Sequence, residues 1–256
     1  MIVEAATLRD FYASPQGQET QRLIGVRIIN LWPPTPKLSM AGIGYALPWL
    51  EDYTSTVTHT LALMPAKQGA LIWPPSGQRR TSLITDMQLP LPDECLDRIL
   101  IIHALEVSQD APVLLRQIWR TLKPGGKALV IVPNRRGLWG HLSSTPFSAG
   151  YTFSHNELAN LLINAMLTPE VWDTALHVPP ALSWRMPSRM TQRWEWCGRH
   201  ITPGLAGVFI VEASKQLYAP LKLHLKPVSA HTSPQKAAAL RLIPAPEQTT
   251  LAVPAY

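Results

Sequence analysis

Two uninterrupted aliphatic runs constrain this chain more than any other feature: Ile99-Leu100-Ile101-Ile102 in "DRILIIHALE" and Ala128-Leu129-Val130-Ile131-Val132 in "KALVIVPN". A strand with one wet face alternates apolar and polar residues, so a strand without alternation is buried on both faces, as in a parallel sheet sandwiched by helices. Between the runs, "APVLLRQIWRTL" has helical periodicity. Its end is expected at "KPGG", with a glycine in the left-handed cap and proline barring continuation. Strand, helix and strand in that order predict an open α/β sheet.

The rest of the chain extends the pattern. "LRDFYASPQGQETQRLIGVRIINLW" reads as a short helix followed by a longer amphipathic one, within an N-terminal helical segment 1–36. "KLSMA", "TVTHTLALM" and "TSLIT" have strand character, as do "VWDTALHV" and "GVFIVEASKQ". In "TFSHNELANLL", Ser154 followed by Glu157 forms a capping box that starts a helix running to about Met166. The fold expected is a Rossmann-like, seven-stranded, mostly parallel sheet with helices on both faces, over residues 1–218. Residues 219–256, rich in Pro and Ala and without sustained periodicity, are expected to form a flexible tail.

Composition narrows the function classes. With 256 residues, 46% of them hydrophobic, the chain can bury a real core. No apolar run reaches the roughly eighteen residues of a membrane span, and "MIVEAATLRDFYAS" lacks a signal-peptide layout. A cytoplasmic location without membrane contact is therefore expected. Cys95 and Cys197 lie in no disulfide framework or zinc spacing. The net charge of +6 suits an anionic partner without defining a site. In "SWRMPSRMTQRWEWCGR" four arginines alternate with Trp184, Trp194 and Trp196. That mixture would suit phosphates and bases, but helical spacing favours tryptophans packed inward with the arginines wet.

In a parallel α/β sheet ligands bind beyond the carboxyl ends of the strands. After the first strand come Gly42, Ile43, Gly44, Tyr45 and Ala46. The glycines permit a tight turn and close approach of a ligand to the main chain, although a purely structural turn has the same sequence. The fourth strand is followed by His103 and Ala104.

"DMQLPLPDECLDRILIIHALE" followed by "LLRQIWRTLKPGGKALVIVPN" resembles the central part of class I S-adenosylmethionine-dependent methyltransferases with a type 11-like domain. An acid at the end of the third strand, a "LPxPDxxxD" segment and "RxLKPGG" occur in the family's order, and "GVFIVEASKQ" is similar to its last, antiparallel strand. The resemblance implies that Gly42, Ile43, Gly44 and Tyr45 line the cofactor and that Asp86 accepts a hydrogen bond from the adenine amine, with Met87 beside the ring. A turn cap is the alternative role for Asp86. His103 falls where relatives contact cofactor or reacting atom, a position that a hydrogen-bonded structural histidine also fits.

Two family acids are missing. Met40 replaces the one before the glycines, and a register of about twenty residues puts the second, at the end of the second strand, on Ala62. No Asp or Glu occurs between Tyr53 and Thr85, so no shift of register restores it. Each lost charge-assisted bond is worth about 1.5 to 3 kcal/mol, so the double loss weakens cofactor binding by roughly two to four orders of magnitude unless other groups compensate. Tyr45 and Gln68 are candidates for compensation, and Trp73 is either a stacking platform or a surface aromatic pinned by prolines. Lys67, Arg79 and Arg80 would instead favour an anionic ligand.

After the fifth strand, Arg135, Arg136, His141 and Tyr151 are candidates for contacting an acidic substrate. His103, His141 and Tyr151 are the candidates for a catalytic base. The leading expectation is an S-adenosylmethionine-dependent methyltransferase acting on a small, anionic molecule. The alternative is a pseudo-methyltransferase that has lost S-adenosylmethionine and serves as a binding or regulatory module. A nucleic-acid partner is not expected, because "HALE" stands where a nucleic-acid methyltransferase carries an "NPPY"-like motif. No metal is expected.

Overall fold

The computed structural model describes residues 3–85, 87–142 and 145–216. These fall within one unit, Met1–Ala219; the expected tail and Asp86 lie outside the described residues. The strands are β1 (Ser39–Gly44), β2 (His59–Pro65), β3 (Thr81–Ile84), β4 (Leu96–Ile102), β5 (Leu122–Pro133), β6 (Leu167–Ala175) and β7 (Val208–Lys215). They form a seven-stranded sheet in the order β3-β2-β1-β4-β5-β7-β6. Only β7 runs against its neighbours, β5 and β6; the other pairs are parallel. This is the Rossmann-like architecture expected from the aliphatic runs, and Ile99–Ile102 and Ala128–Val132 are buried throughout.

Helices α1 (Ala5–Ala13), α2 (Pro15–Leu31) and α3 (Leu47–Leu50) cover one face, where Leu8, Tyr12, Ile24, Ile28 and Trp49 pack with Met40, Leu100 and Leu129 of the sheet. Ser14, ahead of Pro15, caps α2 by accepting from the Gly17 amide at 3.1 Å. Helices α4 (Ala111–Thr121) and α5 (His155–Asn164) cover the other face, packing Leu115, Ile118 and Leu158 against Ile43, Ile99 and Val130. The capping box of α5 is formed as read: Ser154 Oγ accepts from the Glu157 amide, and the Ser154 amide donates to the Glu157 carboxylate. Helices α6 (Pro180–Ser183) and α7 (Ser188–Ile201) lie between β6 and β7 in the chain.

Four local expectations are corrected. The "KPGG" glycine does not cap α4, which ends at Thr121; Leu122 already pairs with Leu96 in the sheet, and Gly125 (φ +73°) lies inside β5 next to an irregularity in register. Ala62 does not end β2: it pairs with Gly42 in mid-strand, and the strand runs on to Pro65, still without an acid. Trp73 is a buried core residue rather than a surface aromatic. The tryptophans of α7 and its approach are exposed instead of packed inward, Trp194 at 46% and Trp196 at 58%.

Candidate ligand sites at the carboxyl edge of the sheet

Strand order reverses between β1 and β4, and ligands of open α/β sheets sit in the crevice that this reversal creates. Here the crevice is built shut. Gly44 has φ +82°, and a Cβ there would stand 2.2 Å from the Ile102 carbonyl oxygen, so the glycine serves the close approach of β1 to β4. The Tyr45 amide donates to that carbonyl at 2.8 Å. Ala46 Cβ and Leu50 Cδ1 lie 2.7 Å from where a Gly42 Cβ would be, and they fill the space above the turn. Ile43 turns its side chain to the opposite face of the sheet.

Tyr12, delivered by α1, fills the middle of the crevice. Its ring stacks on Tyr45, with centroids 5.4 Å apart and planes 7° from parallel, and meets Trp49 edge-on. Its hydroxyl reaches His103 Nε2 at 2.8 Å, and His103 Nδ1 reaches Glu106 Oε1 at 3.0 Å. Gln68, from the loop after β2, donates to the His103 carbonyl at 2.6 Å and accepts from the Ala5 amide at 2.7 Å, so it ties α1, β2 and β4 together. Tyr12, Tyr45, Gln68, His103 and Glu106 are all buried. Burial, then the neighbouring Tyr45 and Glu106, pushes the Tyr12 hydroxyl well above the ordinary tyrosine range; burial pushes Tyr45 up to about 12. Tyr12 therefore keeps its proton and can donate it to Nε2. With its proton on Nδ1, the imidazole ring then also satisfies the bond to Glu106. His103 holds φ +54°, uncommon for a residue with a side chain, and the hydrogen bonds on three sides of it keep that conformation.

Of these residues, sequence reasoning singled out His103, Tyr45, Gln68 and the glycines but not Tyr12 or Glu106. Glu106 had a local signal, three residues after His103 in "HALE"; Tyr12 stands 91 residues away and had none. Met87 is not brought to the crevice: it is 67% exposed and lines a shallow depression with Arg120.

The comparisons agree with this architecture. Residues 41–130 match the family model described as a methyltransferase domain. Over that stretch the chain is similar to the methyltransferase-domain family, and its fold is that of class I methyltransferases. None of the curated proteins compared matches the sequence. Among solved structures, the domain resembles a Haloferax volcanii methyltransferase in complex with the Trm112 methyltransferase activator, with 18% identity, TM-score 0.56, and coverage of 83% of this chain and 99% of that one. An S-adenosylmethionine-dependent methyltransferase of Thermotoga maritima is similar at 16% identity, TM-score 0.52, and coverage of 81% and 94%. So is the cyclase SpnF, at 16% identity, TM-score 0.52, and coverage of 79% and 83%. At such identities the likeness is one of fold, and the cyclase illustrates that this fold carries more than one chemistry.

S-adenosylmethionine does not fit the crevice of this domain as it stands. The Tyr12 ring and the Gln68 bridge fill the space between the ends of β1, β2 and β4, and neither Met40 nor the end of β2 offers a carboxylate to the cofactor's ammonium or ribose. One feature runs the other way: Glu106 Oε2 and Gln68 Oε1 are buried acceptors with no hydrogen-bond partner among the described residues. Beside the Tyr12–Tyr45 stack, an open cleft of about 680 Å³ runs past Arg9, Gln21, Glu51 and Leu71.

A second cavity, about 720 Å³, lies further along the same edge of the domain, bounded by the end of β5, the first turn of α5, β6 and α7. Both volumes fall within the range of small-molecule sites. Arg136, Arg199, His155 and Asn156 face this second cavity, and Trp172, stacked on His155 at 3.9 Å, forms part of its wall. Its one acid among the described residues, Asp173, holds Arg199 only loosely at 3.7 Å. The first turn of α5 adds the positive end of a helix dipole. The other substrate candidates are engaged locally. Arg135 binds the Glu157 carboxylate at 2.9 Å and the Thr152 carbonyl at 2.8 Å, and it lies over the Tyr151 ring; His141 Nε2 contacts the Arg135 carbonyl. Arg80 is bonded to Thr60, while Lys67 stays exposed. Among the described residues no group of three or more His, Cys, Asp or Glu side chains could hold a metal ion.

Proposed function

We propose that this methyltransferase domain is a binding module for a small anionic ligand and that it does not transfer methyl groups. The observation that carries this reading is the contrast along one edge of the sheet: Tyr12 bonded to His103 closes the crevice at the β1/β4 reversal, while the cationic cavity beside β5 and β6 stays open. Arg136 and Arg199 supply planar donors suited to carboxylate or phosphate. The test is thermal unfolding with inorganic phosphate and with citrate. A ligand at about a hundred times its Kd stabilises by about 2.7 kcal/mol, a rise of roughly 5 to 11 °C at this size. The rise is expected with at least one of these anions and is expected to vanish in the double variant Arg136→Gln, Arg199→Gln. Absence of any shift, or a shift that the variant keeps, overturns the reading.

The alternative, a working methyltransferase on a small molecule, is favoured by the two orphaned acceptors in the crevice. Hydroxyl and ammonium groups of S-adenosylmethionine are donors that would suit Glu106 and Gln68. On that reading Tyr12 swings out, Gly42, Ile43, Gly44, Tyr45, Asp86, Met87 and His103 line the cofactor, and His103 is the nearest candidate base.

A further inference from the structure

Helix α7 is docked with its polar side inward. Thr191 and Glu195 are buried, Glu195 Oε1 accepting from the His177 and Val178 amides at 2.7 and 3.1 Å, and Gly198 closes on His177. Met190, Trp194, Cys197 and Ile201, at i, i+4, i+7 and i+11, form one stripe along the helix, and all four are exposed, Ile201 at 76%. Between Trp194 and Ile201 the surface dips into an apolar depression that Met186 also lines. A contiguous apolar surface of this kind on a soluble fold marks an interaction site.

Charge identifies the partner. Arg189, Arg193 and His200 run alongside the stripe, all exposed, and Arg185 stands over the Trp184 ring just before the helix. The single acid of α7, Glu195, faces the protein, so the outer surface combines apolar side chains with cations and carries no carboxylate from this helix. Two copies paired through this face would set like charges against each other. Single-stranded nucleic acid needs a succession of open aromatic faces, but Arg185 lies on the Trp184 ring and His200 on the Trp196 ring, which leaves Trp194 alone among Met and Ile side chains that cannot stack on bases.

We propose that α7 attaches the domain to an anionic lipid surface. The helix, about 21 Å long, lies in the headgroup plane with Met190, Trp194, Cys197 and Ile201 turned toward the acyl chains and Arg189 and Arg193 against lipid phosphates. This is attachment, not insertion: no helix among the described residues is long and apolar enough to cross a membrane. The inference does not depend on which ligand the cavities take.

Cosedimentation of the full chain with vesicles tests it, using phosphatidylcholine alone and phosphatidylcholine mixed with phosphatidylglycerol. Partitioning is expected to be at least about tenfold stronger on the anionic vesicles and to weaken as salt is raised. The pair Arg189→Gln, Arg193→Gln is expected to lower it about thirtyfold, roughly a factor of five for each arginine. The pair Met190→Glu, Ile201→Glu is expected to abolish it with the thermal midpoint unchanged, because neither side chain is in the core. No binding to anionic vesicles overturns the proposal. So does binding that the Met190/Ile201 pair retains, which would assign attachment to the lysines after residue 216. A dimer dissociated by Ile201→Glu, or oligonucleotide binding through this face without vesicle binding, also overturns it.

Discussion

Replacing Tyr12 by Phe tests whether the crevice is closed in solution. The substitution keeps the ring on Tyr45 and removes only the hydroxyl, which leaves His103 Nε2 buried without its partner at 2.8 Å. A buried polar atom stripped of its hydrogen bond costs about 1 to 3 kcal/mol, and at this size each kcal/mol moves the midpoint by about 2 to 4 °C. The midpoint should therefore fall by roughly 2 to 12 °C in a thermal scan at neutral pH, with the loss repeated in urea at unchanged m-value. If Tyr12 instead stood outside an open crevice, its hydroxyl would already be bonded to water and the substitution would cost less than about 0.5 kcal/mol. A double-mutant cycle with Glu106→Gln separates the network from simple packing: coupling of at least about 0.5 kcal/mol is expected between residues that share His103. Unchanged stability in Tyr12→Phe, with no coupling, would refute the closed crevice.

Four further substitutions probe supports of the second cavity and of α7. Hydrogen bonds from the Ser154 amide and from Arg135 hold the Glu157 carboxyl down to about 2. Its stabilising effect is thus present above the unfolded value of about 4.3 and is lost as pH falls through about 2; Glu157→Gln should flatten the stability profile between those limits, and Ser154→Ala should cost about 1 kcal/mol in urea melts. Burial pushes the Glu195 carboxyl up against the lowering effect of the Val178 and His177 amides, so its stabilising effect is present below the unfolded value and is lost as pH rises through the folded one. Glu195→Gln, which keeps an acceptor for both amides, should match or exceed the parent at pH 7, whereas Glu195→Ala should lose about 1 to 3 kcal/mol.

What the sequence disclosed follows from the range of the forces involved. Ile99–Ile102 and Ala128–Val132 announced the central strands because burial on both faces removes alternation, and the Ser154 capping box is satisfied within four residues. The orientation of α7 was not legible: periodicity tells which residues share a face, not which way that face points. That was decided by Glu195 meeting the amides of the His177 turn. "KPGG" misled because the glycine signal for a helix cap is also the signal for an irregularity in a strand, and pairing of Leu122 with Leu96 chose the latter. The glycine turn was legible as a turn, but its closure was not, since Tyr12 and Gln68 reach His103 from 91 and 35 residues away.

Titration of the purified chain with S-adenosylmethionine by calorimetry, followed by a thermal scan at millimolar ligand, tests the closed crevice most directly. No heat and no change in midpoint are expected. A saturating heat with a Kd near 10 μM, and with it a rise of roughly 5 to 11 °C at 1 mM ligand, would contradict it.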